Sequence, residues 1–234
     1  AVAAKLKATS CYIFSDVDGI YTTDPNQTKV ARKLDSLSYT EMLDIANEGA
    51  KVLHNRCVEV GEKFKIPIVA KSTFNNNEGT VINNKIEGSY VKNIVKNDNI
   101  QYVHITADEY SLEKFNTIYN SFIEEELNVK NLVNSSEDTL DISFTIPKVK
   151  FAKLANLLEN KFSDFESSYS DITRISIIGN GIMSNNIVLN KTMDVIKNNK
   201  LDIISMEINE TKIAIMFKKI IANEVLEELH KTLI

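Results

Sequence analysis

Two ten-residue segments of the chain, SSEDTLDISF at 135–144 and INETKIAIMF at 208–217, superpose at an offset of 73 positions. Glu137 falls on Glu210, Leu140 on Ile213, Ile142 on Ile215 and Phe144 on Phe217. The apolar positions alternate, as in a strand with one buried face. The neighbours repeat as well. Each copy is preceded by a strand-like run, YVHIT at 102–106 and RISII at 174–178. A helix follows that run, striped by Leu112, Phe115, Ile118, Tyr119, Phe122 and Ile123 in the first copy, and by Val188, Leu189, Met193 and Ile196 in the second. A second helix closes each copy, with Phe151, Leu154, Leu157, Leu158 and Phe162 in one and Val225, Leu226, Leu229 and Leu233 in the other. Each copy thus reads β-α-β-β-α, one strand short of the β-α-β-β-α-β ferredoxin-like pattern.

The missing strand constrains how the copies connect. The first has a candidate sixth element at 165–171, whereas the second reaches Ile234 straight after its second helix. A buried sheet without that strand would carry unpaired backbone groups. YVKNIVKN, residues 90–97, is apolar at Tyr90, Val91, Ile94 and Val95 and has no other assigned partner. It is expected to complete the second unit, 90–97 plus 172–234, so that the first, 98–171, is an insertion within it.

Residues 1–82 read as α/β structure. A helix tail runs through Ala8, and a strand at 11–14 follows. A helix over about 40–64 is striped by Met42, Leu43, Ile45, Ala46, Ala50, Val52 and Leu53, with a break at Gly49. IPIV at 66–69 is a short buried strand, and STFNNNEGTVI leads into a closing strand. The polar stretch 83–89 is the expected linker.

The net charge of −5 argues against a general binder of phosphate backbones, so no nucleic acid partner is expected. No apolar run approaches membrane-spanning length, so no membrane partner is expected either. With two cysteines, Cys11 and Cys57, a disulfide framework is not expected, and a reducing, cytoplasmic setting is. AVAAKLKATS lacks the features of a signal peptide and reads as the tail of a small-residue helix. The chain is expected to be a fragment of a longer protein.

The segment FSDVDGIYTTDP, 14–25, carries three acids in a short loop behind a strand. Counted as a calcium loop from Asp16, Gly19 falls at position four and Gln27 at position twelve, so the ligand spacing fails. A nucleotide fits better. Ligand sites of open α/β sheets lie beyond strand ends. Gly19 permits close backbone approach. Tyr21 offers a flat face or a hydroxyl, and Asp16 and Asp18 can accept from sugar hydroxyls or a base edge. These acids repel phosphate, which calls for cations elsewhere, with Lys51 and Lys71 as candidates. The alternative is a loop of solvated acids among surface lysines. His54 and Cys57 lie three apart without a second ligand pair, so no metal site is expected.

SDVDGIYTTDP, followed by ARKLDSLSYTEMLDIANEGAKVLHNRCVEV and IPIVAKSTFNNNEGTVI, resembles aspartokinase, and the repeat behind it is similar to that family's paired ACT domains. The resemblance implies the C-terminal part of an amino-acid-kinase domain followed by two interlocked ACT units. It implies transfer of the γ-phosphoryl group of MgATP to the side-chain carboxylate of L-aspartate, opening lysine, threonine and methionine synthesis. It places the nucleoside at Ser15 and Asp16, a nucleotide contact at Tyr21, and the ATP-site wall at Lys51 and Val52. Asn26 stands where the family usually has Arg, which removes a fixed cation and its fork of donors. Ser15 replaces a usual Thr, His54-Asn55-Arg56 a usual HPR, and Lys71 a usual Arg. The family's KFGG and GGSD segments and its aspartate-binding residues have no counterpart here, so only part of an ATP site is expected. The resemblance further implies a homodimer through ACT units. It also implies a lysine or threonine effector near Asn131, Ser136 and Glu137, although ADEYSLEK lacks the glycine usual at that loop; the second unit keeps Gly179 and Gly181. The alternative is a non-catalytic, ACT-based amino-acid sensor that keeps a kinase remnant.

Overall fold

The computed structural model describes residues 1–50, 52–85, 90–184 and 186–234. The chain divides into two compact units. One comprises Ala1–Asn97, Arg174–Phe217 and Ile221–Ile234; the other comprises Asp98–Thr173 and Lys218–Ile220.

The first unit begins with a short helix, α1 (Val2–Lys5), and strand β1 (Cys11–Ser15). Strands β2 (Ser36–Ser38), β3 (Ile68–Ser72) and β4 (Thr80–Asn83) join β1 in the order β1-β3-β4-β2. β1 and β3 are parallel, as are β2 and β4, while β3 and β4 are antiparallel. β3 starts two residues later than the sequence run IPIV. Pro67 has no N–H to give, and its carbonyl accepts from Cys11 N at 2.8 Å; the ladder then runs from Cys11↔Ile68 to Ser15↔Ser72. β2 has no counterpart in the sequence reading, because three residues are too few to show a period.

Helix α2 (Tyr39–Glu48) starts at a capping box, in which the Ser38 side chain accepts from Glu41 N while Glu41 accepts from Ser38 N. It stops at Gly49, whose φ of +121° disfavours any side chain. Helix α3 (Asn55–Phe64) restarts on a His54 cap. The expected break at Gly49 is therefore found, and six residues separate the two helices. Met42, Ile45, Val58, Ile68 and Ile82 form a core beneath them.

Strand β5 (Asn93–Ala107) and strand β8 (Glu166–Ile178) each run from one unit into the other. The sequence reading divided each into two strands. No glycine or proline interrupts either one, so they run on unbroken. In the first unit, residues 93–97 of β5 and 174–178 of β8 continue to β10 (Lys212–Phe217) and β9 (Ile203–Ile208), in the order β5-β8-β10-β9. Lys92 N donates to Ile178 O at 2.8 Å beside this pairing. Helices α6 (Asn186–Asn198) and α7 (Asn223–Leu233) cover that sheet through Ile94, Ile175, Ile177, Val195, Phe217 and Leu226.

In the second unit, β6 (Lys130–Asn134) and β7 (Leu140–Pro147) join the remainder of β5 and β8 in the order β6-β7-β5-β8. Helices α4 (Leu112–Glu124) and α5 (Phe151–Lys161) cover Val103, Ile105, Ile142 and Phe144. The α4 stripe is narrower than its sequence pattern: Ile118 and Phe122 are buried, but Leu112, Tyr119 and Ile123 are exposed. Among the described residues, no helix is long and apolar enough to cross a membrane.

Candidate functional site: the loop beyond β1

The parallel pair β1 and β3 ends at Ser15 and Ser72, and Thr73 N donates to Ser15 O at 2.8 Å. The acidic loop leaves from this carboxyl end, where open α/β sheets hold ligands. Ser15 Oγ and Val17 N lie 3.3 Å apart in a local turn. Asp16 is exposed, and its carboxylate is unpaired among the described residues. Asp18, by contrast, is engaged. Its Oδ1 accepts from the Tyr21 hydroxyl at 2.7 Å and its Oδ2 from Asn77 Nδ2 at 3.3 Å, with Lys33 Nζ at 3.7 Å. The Tyr21 donor, assisted by Asn77 and Lys33 and opposed by partial burial, holds the Asp18 carboxyl below its usual range. The same bond, with partial burial, pushes the Tyr21 phenol up.

The loop bends at Gly19, whose φ is +147°; a Cβ there would lie 2.6 Å from Thr80 Oγ1. That hydroxyl holds the bend in place. It accepts from Ile20 N at 2.8 Å and donates to Leu34 O at 2.6 Å. Lys33 pairs with Tyr21 in an isolated antiparallel bridge, and its ammonium donates to Glu78 O at 2.7 Å. Thr80, Lys33 and Asn77 were not identified from the sequence; they are single residues of ordinary type with no motif around them.

Farther along, Asp24 Oδ1 accepts from Asn26 N at 2.8 Å, leaving the Asn26 side chain exposed. Val52 is half-buried against the core under α2 and α3. Lys51 lies outside the described residues. Lys71 sits on β3 opposite Phe14, one residue short of the strand end. Ser15, Asp16 and Tyr21 are therefore gathered on one short loop, and Asn26 lies at its far turn. His54 caps α3, with its Nδ1 accepting from Arg56 N at 3.3 Å, and Cys57 is a free thiol raised chiefly by burial. Among the described residues, no group of three or more His, Cys, Asp or Glu side chains is placed to hold a metal ion.

The loop and α2 are anchored by polar contacts inside the first unit. Tyr21 O accepts from Asn93 Nδ2 at 2.6 Å and Thr22 O from Ile94 N at 2.8 Å. Thr28 Oγ1 donates to Glu227 Oε1 at 2.7 Å, and Thr22 Oγ1 meets His230 Nε2 at 2.7 Å. At the end of α2, the buried Glu48 carboxylate faces Arg174 Nε at 2.7 Å and Lys212 Nζ at 2.9 Å, and accepts from Ser176 Oγ at 2.7 Å. Glu207 is the second acid of the cluster, 3.1 Å from Arg174 and 3.4 Å from Lys212.

Of the effector candidates, Asn131 lies on β6, where its Oδ1 accepts from the Thr145 hydroxyl at 3.2 Å. Ser136 Oγ accepts from Thr139 N at 3.1 Å in the turn before β7, and Glu137 beside it is exposed. Ser136 and Glu137 are neighbours, while Asn131 belongs to the strand behind them. Two clefts in the second unit involve none of the three. One, of about 260 Å³, lies between α5 and β8 and is lined by Phe151, Leu154, Phe162 and Tyr169. The other, of about 450 Å³, is lined by Tyr119, Phe122, Glu126 and Lys150.

The amino acid kinase family matches residues 1–72, the segment that carries β1, the loop, α2, α3 and β3. An aspartokinase from Bacillus sp. (strain MGA3) is 32% identical over 241 residues, covering 99% of this chain and 58% of its own length. The chain is thus similar to aspartokinases over nearly all of its length, and spans somewhat more than half of the length of such relatives. Its α/β fold matches that of E. coli aspartokinase III in complex with aspartate and ADP (R-state), with a TM-score of 0.80 and 20% identity over 99% of this chain and 54% of that one. The same E. coli protein in complex with lysine and aspartate (T-state) gives 0.77. The ligand-free regulatory subunit of aspartate kinase from Thermus thermophilus matches 62% of this chain and 99% of its own, with a TM-score of 0.55 and 16% identity.

Proposed function

We propose that this chain is the C-terminal part of an aspartate kinase, which transfers the γ-phosphoryl group of MgATP to the side-chain carboxylate of L-aspartate to give 4-phospho-L-aspartate. The observation that carries the reading is the loop beyond β1. It presents Asp16, whose carboxylate has no partner among the described residues, beside Ser15, and a tyrosine whose hydroxyl is already committed to Asp18. Asp16 and the Ser15 hydroxyl suit the ribose. The Tyr21 ring, its hydroxyl occupied, offers its face to the nucleotide. Lys51 and Val52 line the same site in this reading, with Lys51 meeting the phosphates. Asn26 supplies a weaker contact than a guanidinium would. Phosphoryl transfer of this kind rests on positioning and charge neutralisation, and magnesium enters with the nucleotide as its chelate.

Residues 90–97 and 172–234, and separately 98–171, are read as two interlocked ACT units, each βαββαβ. The strand orders β5-β8-β10-β9 and β6-β7-β5-β8, each with two covering helices, support that reading. Regulation by lysine through Asn131, Ser136 and Glu137 is the accompanying proposal; it requires lysine to prefer one of two arrangements of the protein. Pairing of two copies through these units completes it.

The test uses the full-length protein. ADP release is followed with ATP, aspartate and magnesium, with and without lysine. Aspartate-dependent turnover that falls at least tenfold in Tyr21→Ala is expected. Lysine binding by calorimetry in a protein with no aspartate-dependent turnover would instead identify an amino-acid sensor.

A further inference from the structure

The loop that carries Tyr21 is held by a residue from the far end of the chain. His230, on α7, is 1% exposed, and its Nε2 lies 2.7 Å from Thr22 Oγ1. Thr22 is itself buried, and its hydroxyl oxygen accepts from Arg32 N at 2.9 Å. A threonine hydroxyl has one proton and two lone pairs. With one lone pair taken by Arg32 N–H, the proton needs an acceptor, and unprotonated Nε2 is the acceptor within reach. A neutral ring that accepts at Nε2 carries its proton on Nδ1. Burial, with the charge of Arg32, pushes the His230 pKa down, which keeps the ring neutral. Thr22 follows Tyr21 directly, and its main chain is locked on both sides: its N donates to Arg32 O at 2.8 Å, and its O accepts from Ile94 N at 2.8 Å. One turn earlier on α7, Glu227 accepts from the Thr28 hydroxyl, so the same helix grips both ends of the segment 22–28.

We infer that His230 is a positioning residue for the nucleotide loop: by accepting from the Thr22 hydroxyl, it fixes the backbone that presents Tyr21 to ATP. The inference rests on the ATP reading of the loop. Without the acceptor, the Thr22 hydroxyl is buried with an unmade bond. The loop then relieves that cost by moving, and nucleotide binding weakens.

The experiment uses the full-length protein and four variants: His230→Leu, His230→Gln, Thr22→Val and the double variant His230→Leu/Thr22→Val. A glutamine amide oxygen can stand where Nε2 stands, so His230→Gln should keep the bond. KM for ATP and ADP affinity by calorimetry are expected to weaken about 3- to 10-fold in His230→Leu, the loss typical of one hydrogen bond, and at least as much in Thr22→Val, which also takes the acceptor from Arg32 N. The double variant should be no worse than Thr22→Val alone. His230→Gln should recover most of the loss, while KM for aspartate and kcat at saturating ATP stay within about twofold. ¹⁵N NMR of the wild type should show His230 with a pyridine-type Nε2, a signature that packing alone does not set. Equal ADP affinity in wild type, His230→Leu and Thr22→Val, additive losses in the double variant, or an Nε2–H tautomer would each overturn the inference and leave the ATP reading intact. A wild type that binds no ADP overturns both.

Discussion

Replacing Glu48 by glutamine keeps the shape of a side chain that is 7% exposed and removes its charge. Arg174 and Lys212, both nearly buried, then still share Glu207, whose side chain is 46% exposed. Taking one partner from a buried ion pair costs about 3–5 kcal/mol, because the other charge stays buried. Glu207 offsets part of that, and the amide oxygen still accepts one bond, so about 2–4 kcal/mol is expected here. In a full-length protein of which this chain spans somewhat more than half, that corresponds to a fall of roughly 2–6 °C in Tm, read by calorimetry. The effect also has a pH signature. Burial pushes the Glu48 carboxyl up, but the Arg174 charge and the Lys212 and Ser176 bonds outweigh it and leave the folded pKa below the ordinary 4.5. A depressed acid stabilises fully above its unfolded pKa and loses that contribution as pH falls through the folded value. The gap between wild type and Glu48→Gln should thus be flat near neutrality and close below about pH 4.5. Equal Tm values at pH 7, or a gap that widens in acid, would refute the reasoning.

Tyr21→Phe removes the donor that most lowers Asp18, so the Asp18 midpoint should rise toward 3.8 in a carboxyl ¹³C titration; an unmoved midpoint would deny the bond. Gly19→Ala sets a Cβ 2.6 Å from Thr80 Oγ1 at a φ of +147°, and should cost about 1–3 kcal/mol, measurable by thermal unfolding of the full-length protein. Asn26→Arg adds a cation at the exposed turn of the loop and should tighten ADP binding several-fold in calorimetry; unchanged affinity would place Asn26 away from the nucleotide.

The parts of the fold legible in the sequence were those with a period. Ile142 and Phe144 alternate within β7, Ile118 and Phe122 recur at helical spacing in α4, and Gly49 marks the end of α2; each appears in the structure where its pattern placed it. Length blurred the rest. β2 is too short to show alternation, and β5 and β8 are so long that each was divided in two. The site divides in the same way. Ser15, Asp16 and Tyr21 stand together in the sequence, so their gathering on one loop was readable. Thr80 and His230 were not, because a threonine or a histidine acquires its meaning from what lies 60 or 208 positions away.

These distant partners also explain why an acidic loop can hold one shape. Asp16, Asp18 and Asp24 repel one another, and a free loop of this composition would spread them. Two of the three are engaged locally, Asp18 by Tyr21, Asn77 and Lys33, and Asp24 by Asn26 N. Among the described residues, Asp16 is the one of the three whose carboxylate accepts no hydrogen bond. The backbone between them is held from outside by Thr80 at Ile20, Asn93 at Tyr21 and Ile94 at Thr22, and side-chain hydroxyls meet His230 at Thr22 and, beyond Asp24, Glu227 at Thr28. Such anchoring is of use to a ligand site, since a loop ordered before binding spends less of the binding energy on becoming ordered. It also ties that order to β5 and α7. Bonds of 2.6–2.8 Å thus join Tyr21 and Thr22 to Asn93 and Ile94 of β5 and to His230 of α7.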